Sequence, residues 1–529
     1  MTIGEGKLRP ASQVPRRSLA RSATIVAGFY VLSNIAGFLA RLLINARFGA
    51  GAEQDAFRAA FVIPDLMFNV LAGGALASAF IPVYVGRLGK GEVDAAWQLA
   101  RAVIVIVFAV LAVLALIAAA CAPVLIQHVV ARQFAPAQVA LTASLMRIML
   151  IATVIFGISG LLMGMLQSND AFLAPAVAPS LYQLGIILGA TALSGLGIHG
   201  LAVGVVLGAL MHLGVQLPSL WEIRSPLSRL PHPRLPIRDD LRQIMTLMPP
   251  RMLGLGAVQV NTLVNTTLAS GIQGGVSAFN NAFAIMVLPI AVIGQAIGTA
   301  LFPAISAHAA RGERTQFAVA FNRALNAVIA LSLPAAVGLI ILGQPLIRLL
   351  FERGAFDARS TEWVAFALAL LAIGLPAHAA LELVTRAFYA LKDSIRPAAL
   401  AVFSVIVNIA LSVALYPAFA RAGWLPFGGL ALANAIATIL ETLILYAMLV
   451  RRADGLAPRA AWIAFGKHGL AAVMMGVVLW GWLQLVGDDA AATVAALPIG
   501  VSAYLGAALL LRSEEAWLAA AIVRRRLKR

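Results

Sequence analysis

Apolar runs long enough to cross a bilayer recur from one end of this chain to the other. They lie near 24–48, 58–84, 97–120, 139–165, 173–195, 198–220, 243–270, 277–306, 320–347, 362–390, 397–417, 425–450, 461–486 and 490–511. A helix rising about 1.5 Å per residue needs roughly 20 residues to cross hydrocarbon about 30 Å thick. Lipid offers the backbone no hydrogen bonds, so runs of this length fold as helices. The pattern predicts an all-α polytopic membrane protein with about fourteen transmembrane helices. Charged residues make up 12% of the chain, about half the share in soluble domains. The first run is too long for a signal-peptide core and reads as a retained helix.

The net charge of +17 has a simple source. Lys and Arg gather at helix ends on one side: in the N-terminal tail, around 87–101, in 224–242, in 451–467 and after residue 523. The loops between, such as Gly271–Gly275, are poor in them. This is the cytoplasmic bias of membrane proteins, so both termini are expected in the cytoplasm and nucleic acid is not expected as a partner. The one cysteine, Cys121, rules out an internal disulfide and a Cys-rich metal site. No phosphate-binding loop occurs, so the chain does not itself hydrolyse ATP.

The chain also repeats. SAFIPVYVGRLGKGE, ending at Glu92, answers TALFPAISAHAARGE, ending at Glu313. Pro82 and Pro303 are 221 apart (303 − 82), as are Gly91 and Gly312. Pro175 answers Pro397 at 222 (397 − 175), and Gly200 answers Gly429 at 229 (429 − 200). Two six-helix lobes related by a parallel repeat are expected, with a path between them. The division is then a basic cytoplasmic tail (1–22), a first lobe (23–220), a basic linker (221–242) and a second lobe (243–450). Two extra helices (451–511) and a basic C-terminus (512–529) follow.

Polar residues inside the runs mark the candidate cavity. Asn34, Gly37, Arg41 and Asn45 fall on one helical stripe. Arg251, Gly254, Asn261 and Asn265 form a second. Asp65 and Asn69 follow Pro64, one turn apart. Charged groups at such depth are costly and face a bundle interior or a wet cavity. Arg41, Asn45, Asp65, Asn69, Arg251, Asn261 and Asn265 are therefore the candidate binding residues. Enzymatic patterns are weaker. Gly157-Ile158-Ser159-Gly160 resembles an intramembrane protease serine motif with no convincing paired histidine, and His378 with Glu382 lacks a third metal ligand. Glu382 and Arg386 are spaced for an intrahelical ion pair.

Several stretches together resemble the MurJ/MviN family, lipid II flippases of the multidrug/oligosaccharidyl-lipid/polysaccharide exporter superfamily. They are FGAG and DAF within 48–57, Ile63-Pro64, PAVAPSLY at 175–182, Gln259-x-Asn261, GTALFPAIS at 298–306, LFERGAFD at 350–357 and FYALKDSIRP at 388–397. The resemblance covers roughly 24–511 and implies two lobes around a cationic cavity working by alternating access, with a lipid-tail groove along the two extra helices. At positions where characterised members carry cavity arginines, this chain has Asn34, Ala40, Phe68 and Ala284, and Gly73 stands where an acidic residue is expected. Arg41 sits one place after one such position.

The resemblance implies a non-enzymatic transporter of the bacterial inner membrane. Its expected substrate is an undecaprenyl-pyrophosphate-linked glycopeptide, moved to the outer leaflet for cell-wall synthesis. Membrane lipids are the other expected partners, the chain is expected to be monomeric, and no cofactor is expected, with a coupling cation left open. The alternatives are an exporter of another polyprenyl-linked saccharide or of a small molecule, and a non-transporting scaffold with the same fold.

Overall fold

A computed structural model describes residues 16–224 and 238–517. The chain divides into two units. The first draws its described residues from 1–44, 60–126 and 139–256. It holds most of α1 (Arg16–Phe48), the later part of α2 (Ala52–Met67), α3 (Gly74–Gly89), α4 (Val93–Ala120), the short α5 (Ala122–Leu125) and α6 (Pro136–Ser168). It continues with α7 (Leu173–Thr191), α8 (Ile198–Gly214), α9 (Gln216–Arg224) and the start of α10 (Arg238–Ala269). The second unit takes 45–59, 127–138 and the chain from 257 onward. It holds the end of α10, α11 (Gly275–Ile290), α12 (Ala296–Ala310), α13 (Arg314–Phe351), α14 (Ala358–Ala372) and α15 (Leu375–Ala390). Then come α16 (Ile395–Arg421), α17 (Phe427–Arg452), α18 (Pro458–Val486) and α19 (Ala490–Leu510).

Every expected apolar run coincides with helix, but not all pass as membrane spans. Among the described residues twelve helices are long and apolar enough to cross, or thirteen if α14 and α15, bent by 47° to each other, count as one. The remaining segment is α10, which carries Arg242, Pro249, Pro250 and Arg251 within its 32 residues. Its length suits a crossing; its composition is too polar to register as one. The first helix begins at Arg16, inside the expected tail, and helix occupies both ends of the expected 221–242 linker. The middle of that linker and most of both basic tails lie outside the described residues.

The repeat has a local structural counterpart. In the first unit α2 contains Pro64 and runs into a π-helical turn at Phe68–Ala72 before α3. In the second, α11 contains Pro289 and runs into a π-helical turn at Ala291–Gln295 before α12. A proline lacks the N–H that closes the helical ladder, so each helix is weakened just before its π-helical turn. Pro82 and Pro303 lie inside α3 and α12. Beyond each comes a glycine at positive φ, Gly91 at 77° and Gly312 at 71°. Each is followed by a glutamate held by arginine. Arg87 lowers the Glu92 carboxyl, and Arg311, with His308, brings Glu313 down to about 2.

The α7 and α8 helices approach closely where their glycines face each other. A Cβ on Gly204 of α8 would lie 2.6 Å from Gly189 Cα of α7, and one on Gly185 would lie 2.3 Å from Gly208 Cα. Backbone contact of this kind replaces the missing hydrophobic drive between helices in lipid. The last two helices pack on α13 through Leu342, Met475, Leu479 and Tyr504. Pro334 leaves the Ala330 carbonyl without its helical donor, and the Tyr504 hydroxyl donates to it at 2.5 Å.

Gly204→Ala is expected to destabilise the protein by about 1–3 kcal/mol or more, because backbone cannot yield to the added methyl. Gly214→Ala, with nothing within 4 Å of the new carbon, is the matched control. A lower melting temperature in detergent for the first variant and none for the second is the expected result.

Candidate functional site

The α1 stripe begins in the first unit. At Gly37 the missing side chain leaves room for the Gln183 amide of α7, 3.3 Å from where a Cβ would sit. One turn on, Arg41 is half-buried and has no hydrogen-bond or ion-pair partner among the described residues. An unpaired guanidinium at this depth can hold an anion through two parallel hydrogen bonds. Asn45, a further turn on, belongs to the second unit and is only 1% exposed. Its carbonyl oxygen accepts from Gln54 at 2.7 Å and from Asn281 at 3.0 Å. Its amide is therefore engaged in the core rather than presented to open space.

The second stripe divides similarly. Arg251 lies on α10, and its side chain falls outside the described residues. The Asn261 carbonyl oxygen is buried without a hydrogen-bond partner. Asn265 accepts from the Ser412 hydroxyl at 3.4 Å, which also lies 3.4 Å from the Asn408 oxygen. Asp65 and Asn69 belong to the break in α2. The Asn69 amide donates to the Asp65 carbonyl at 2.9 Å, so it mends the ladder locally. The Asp65 side chain lines a cavity whose walls all lie within the first unit.

Two sequence patterns resolve as structural. Ser159 does meet a histidine, His212, at 2.6 Å. But Ser159 is fully buried and also accepts from Gln216 at 2.7 Å, so it clamps α6 to α8 and has no route to a substrate. His378 bonds to Asn434 and Thr438, and Glu382 pairs with Arg386 at 3.4 Å, as the spacing predicts. Arg386 also donates to Thr299 at 2.6 Å and to the Gln295 carbonyl at the π-helical turn, 3.3 Å away. No group of three metal-ligating side chains occurs among the described residues.

Sequence reasoning missed the most tightly held acid. Asp55, wholly buried, accepts from Gly274 N at 2.5 Å, Ser277 N at 2.7 Å and Ser277 Oγ at 2.5 Å. It caps the first turn of α11, whose own N-cap, Gly274, supplies no side chain. Gly274 has φ 93°, and a Cβ there would lie 2.4 Å from the Ala50 oxygen. A Cβ on Gly49 would strike the Ala355 oxygen at 2.3 Å, and the Ala355 amide donates to Ala46 O at 2.7 Å. The FGAG and LFERGAFD stretches therefore meet within the second unit, and Asp357, closing the latter, caps α14 by accepting from Ser360 N at 2.8 Å. The available signal was an acid placed between a glycine turn and an apolar helix.

A family model described as Lipid II flippase MurJ matches residues 44–494. The chain belongs to the MurJ family. Among MurJ relatives, a probable lipid II flippase of Rhizobium tropici is 31% identical over 492 residues, covering 89% of each chain. A lipid II flippase of Burkholderia cenocepacia is 29% identical over 477 residues, covering 88% of this chain and 90% of its own. A solved MurJ in an inward closed conformation matches with a TM-score of 0.78 at 23% identity, covering 96% of this chain and all of that one. An inward-facing multidrug resistance MATE family transporter of the MOP superfamily matches with a TM-score of 0.65 at 17% identity, over 80% of this chain and 94% of its own. The fold matches those of MurJ and of the MATE family transporter, and MurJ proteins are transporters, not enzymes.

Asp55→Asn is expected to replace one acceptor with a donor facing the α11 amides, costing about 1–3 kcal/mol. Ser277→Ala removes one donor and is expected to cost less. Melting of the two variants in detergent, compared with the parent, checks the order.

Proposed function

We propose that this chain is a lipid II flippase of the bacterial cytoplasmic membrane, carrying an undecaprenyl-pyrophosphate-linked peptidoglycan precursor from the inner to the outer leaflet. The family match from residue 44 to 494 carries this reading. The half-buried, unpartnered Arg41 supports it, because a pyrophosphate needs a cation where water is scarce. In the proposed mechanism Arg41 and Arg251 offset phosphate charge, and the polar positions Asp65, Asn69, Asn261 and Asn265 line the path as the lobes rock, while Asn45 is held in the core by Gln54 and Asn281. The prenyl chain stays in lipid or along α18 and α19.

No ATP or other cofactor is required. With a negative interior, moving an anion outward gains about 2.3 kcal/mol per charge per 100 mV, so two charges gain about 4–5 kcal/mol. That is enough to bias a two-state equilibrium strongly. The chain is proposed to act as a monomer, with both termini in the cytoplasm. A second reading, export of another polyprenyl-linked saccharide, is favoured by Asn34, Ala40, Phe68 and Ala284 in place of the family's arginines.

Two measurements follow. In vesicles with matched protein levels, Arg41→Ala is expected to abolish or strongly reduce lipid II flipping, and Arg41→Lys to restore only part, since an ammonium lacks the planar fork. Full activity in Arg41→Ala would remove Arg41 from the site. For topology, a cysteine at position 234 in a Cys121→Ser background should resist impermeant reagents in intact cells; external labelling would overturn the orientation.

A further inference from the structure

A buried polar cluster lies where the chain leaves α19. His468 of α18 is buried, and its ring reaches a different element on each side. Nδ1 lies 2.7 Å from the Tyr504 hydroxyl oxygen of α19. Nε2 lies 3.1 Å from a Glu515 carboxyl oxygen and 3.1 Å from the Ser513 hydroxyl, both in the segment after α19. Ser513 and Glu515 also meet each other, at 2.9 Å.

Counting protons fixes the state of this ring. Tyrosine has one hydroxyl proton, and Tyr504 gives it to the Ala330 carbonyl of α13 at 2.5 Å. Toward His468 the Tyr504 oxygen can then only accept, so Nδ1 carries a proton. In a neutral imidazole Nε2 would therefore be bare. It would face the Glu515 carboxylate and the Ser513 oxygen, three acceptors sharing one hydroxyl proton. A second proton, between Nε2 and Glu515, satisfies all three contacts. Burial pushes the Glu515 carboxyl up, but hydrogen bonds from its own amide, His468 and Ser513 bring it below the usual carboxylate range. The pair is thus imidazolium and carboxylate.

The charged neighbours are engaged elsewhere or face water. Lys467 of α18 donates to the Arg512 carbonyl at 3.1 Å, and the Arg512 and Glu514 side chains are exposed. From α13 the Ala330 carbonyl meets the cluster. We propose that His468 and Glu515 form a buried proton-binding site that docks the segment after α19 onto α18. With the proton bound, the segment is held. When it leaves, Nε2 and the carboxylate repel, and the half-buried Glu515 swings out to water. The lowered Glu515 carboxyl loses its contribution to docking only in acid, whereas the imidazolium proton is lost on release, so docking weakens as pH rises from neutral. The site lies wholly in the second unit and does not depend on the lipid II reading.

The test uses the full chain in detergent, with Trp517→Cys in a Cys121→Ser background, since Trp517 is exposed beside the cluster. A nitroxide on that cysteine reports held and free segment by electron paramagnetic resonance from about pH 5 to about pH 9, spanning the range in which histidine ordinarily changes charge. The free-to-held ratio is expected to rise with pH, with a limiting slope of about tenfold per pH unit for one proton. Glu515→Gln offers Nε2 an amide donor at every pH, so this variant should stay held and its slope should vanish. Tyr504→Phe lets Nδ1 go bare, so a neutral ring can donate from Nε2 to Glu515. Its slope should vanish too, and it serves as the test if Glu515→Gln does not fold. A flat ratio in the parent, a parental slope in either variant, or Glu515→Gln free at every pH would overturn the proposal. No flipping is measured, so a negative result here leaves the lipid II reading standing.

Discussion

The Asp55 carboxylate is cut off from water and met by three donors at the start of α11. A buried carboxylate is tolerable only when such donors replace its hydration. The orphan amides of a helix start need an acceptor just as much. Each side therefore satisfies the other, and the glycines around them are needed to let the backbones close. Gly49, Gly274 and Gly354 all have positive φ, and a Cβ on any of them would fall within 2.4 Å of a carbonyl oxygen. Next to this cap, Asn45, Gln54 and Asn281 form a second buried polar cluster. Together they anchor residues 45–59 in the second unit, although the helices carrying them continue into the first.

Broken helices are the other constraint. Prolines and π-helical turns free backbone carbonyls where lipid supplies no donor. Side chains supply it instead. Asn69 serves the Asp65 carbonyl, Arg386 the Gln295 carbonyl and Tyr504 the Ala330 carbonyl. The irregular backbone that a transporter needs is thereby kept inside the protein without an unpaired group at these three places.

Much of this was legible in the sequence because it is local. Apolar length placed the helices, and the matched Pro82 and Pro303 fall in the helices that follow the two breaks. The Glu382–Arg386 pair followed from helical spacing. What was not legible depends on distant partners. Asp55 finds Gly274 and Ser277 across 219 and 222 residues, and no local pattern announces such a contact. Asn45 shares a stripe with Arg41, yet its amide is consumed by Gln54 and Asn281, because periodicity gives a face and not what covers it. The crossing of α1 and α2 between units was hidden for the same reason: hydropathy runs smoothly through residues 45–59. The α10 segment was found by position, although it does not register as a span by length and composition.

The central claim is that this chain delivers lipid II to the outer leaflet. Expression in cells depleted of their own lipid II flippase tests it most directly, with membrane insertion confirmed and lipid II measured at the outer face. The account predicts restored growth and restored outer-face lipid II. Well-inserted protein with neither restored would contradict it.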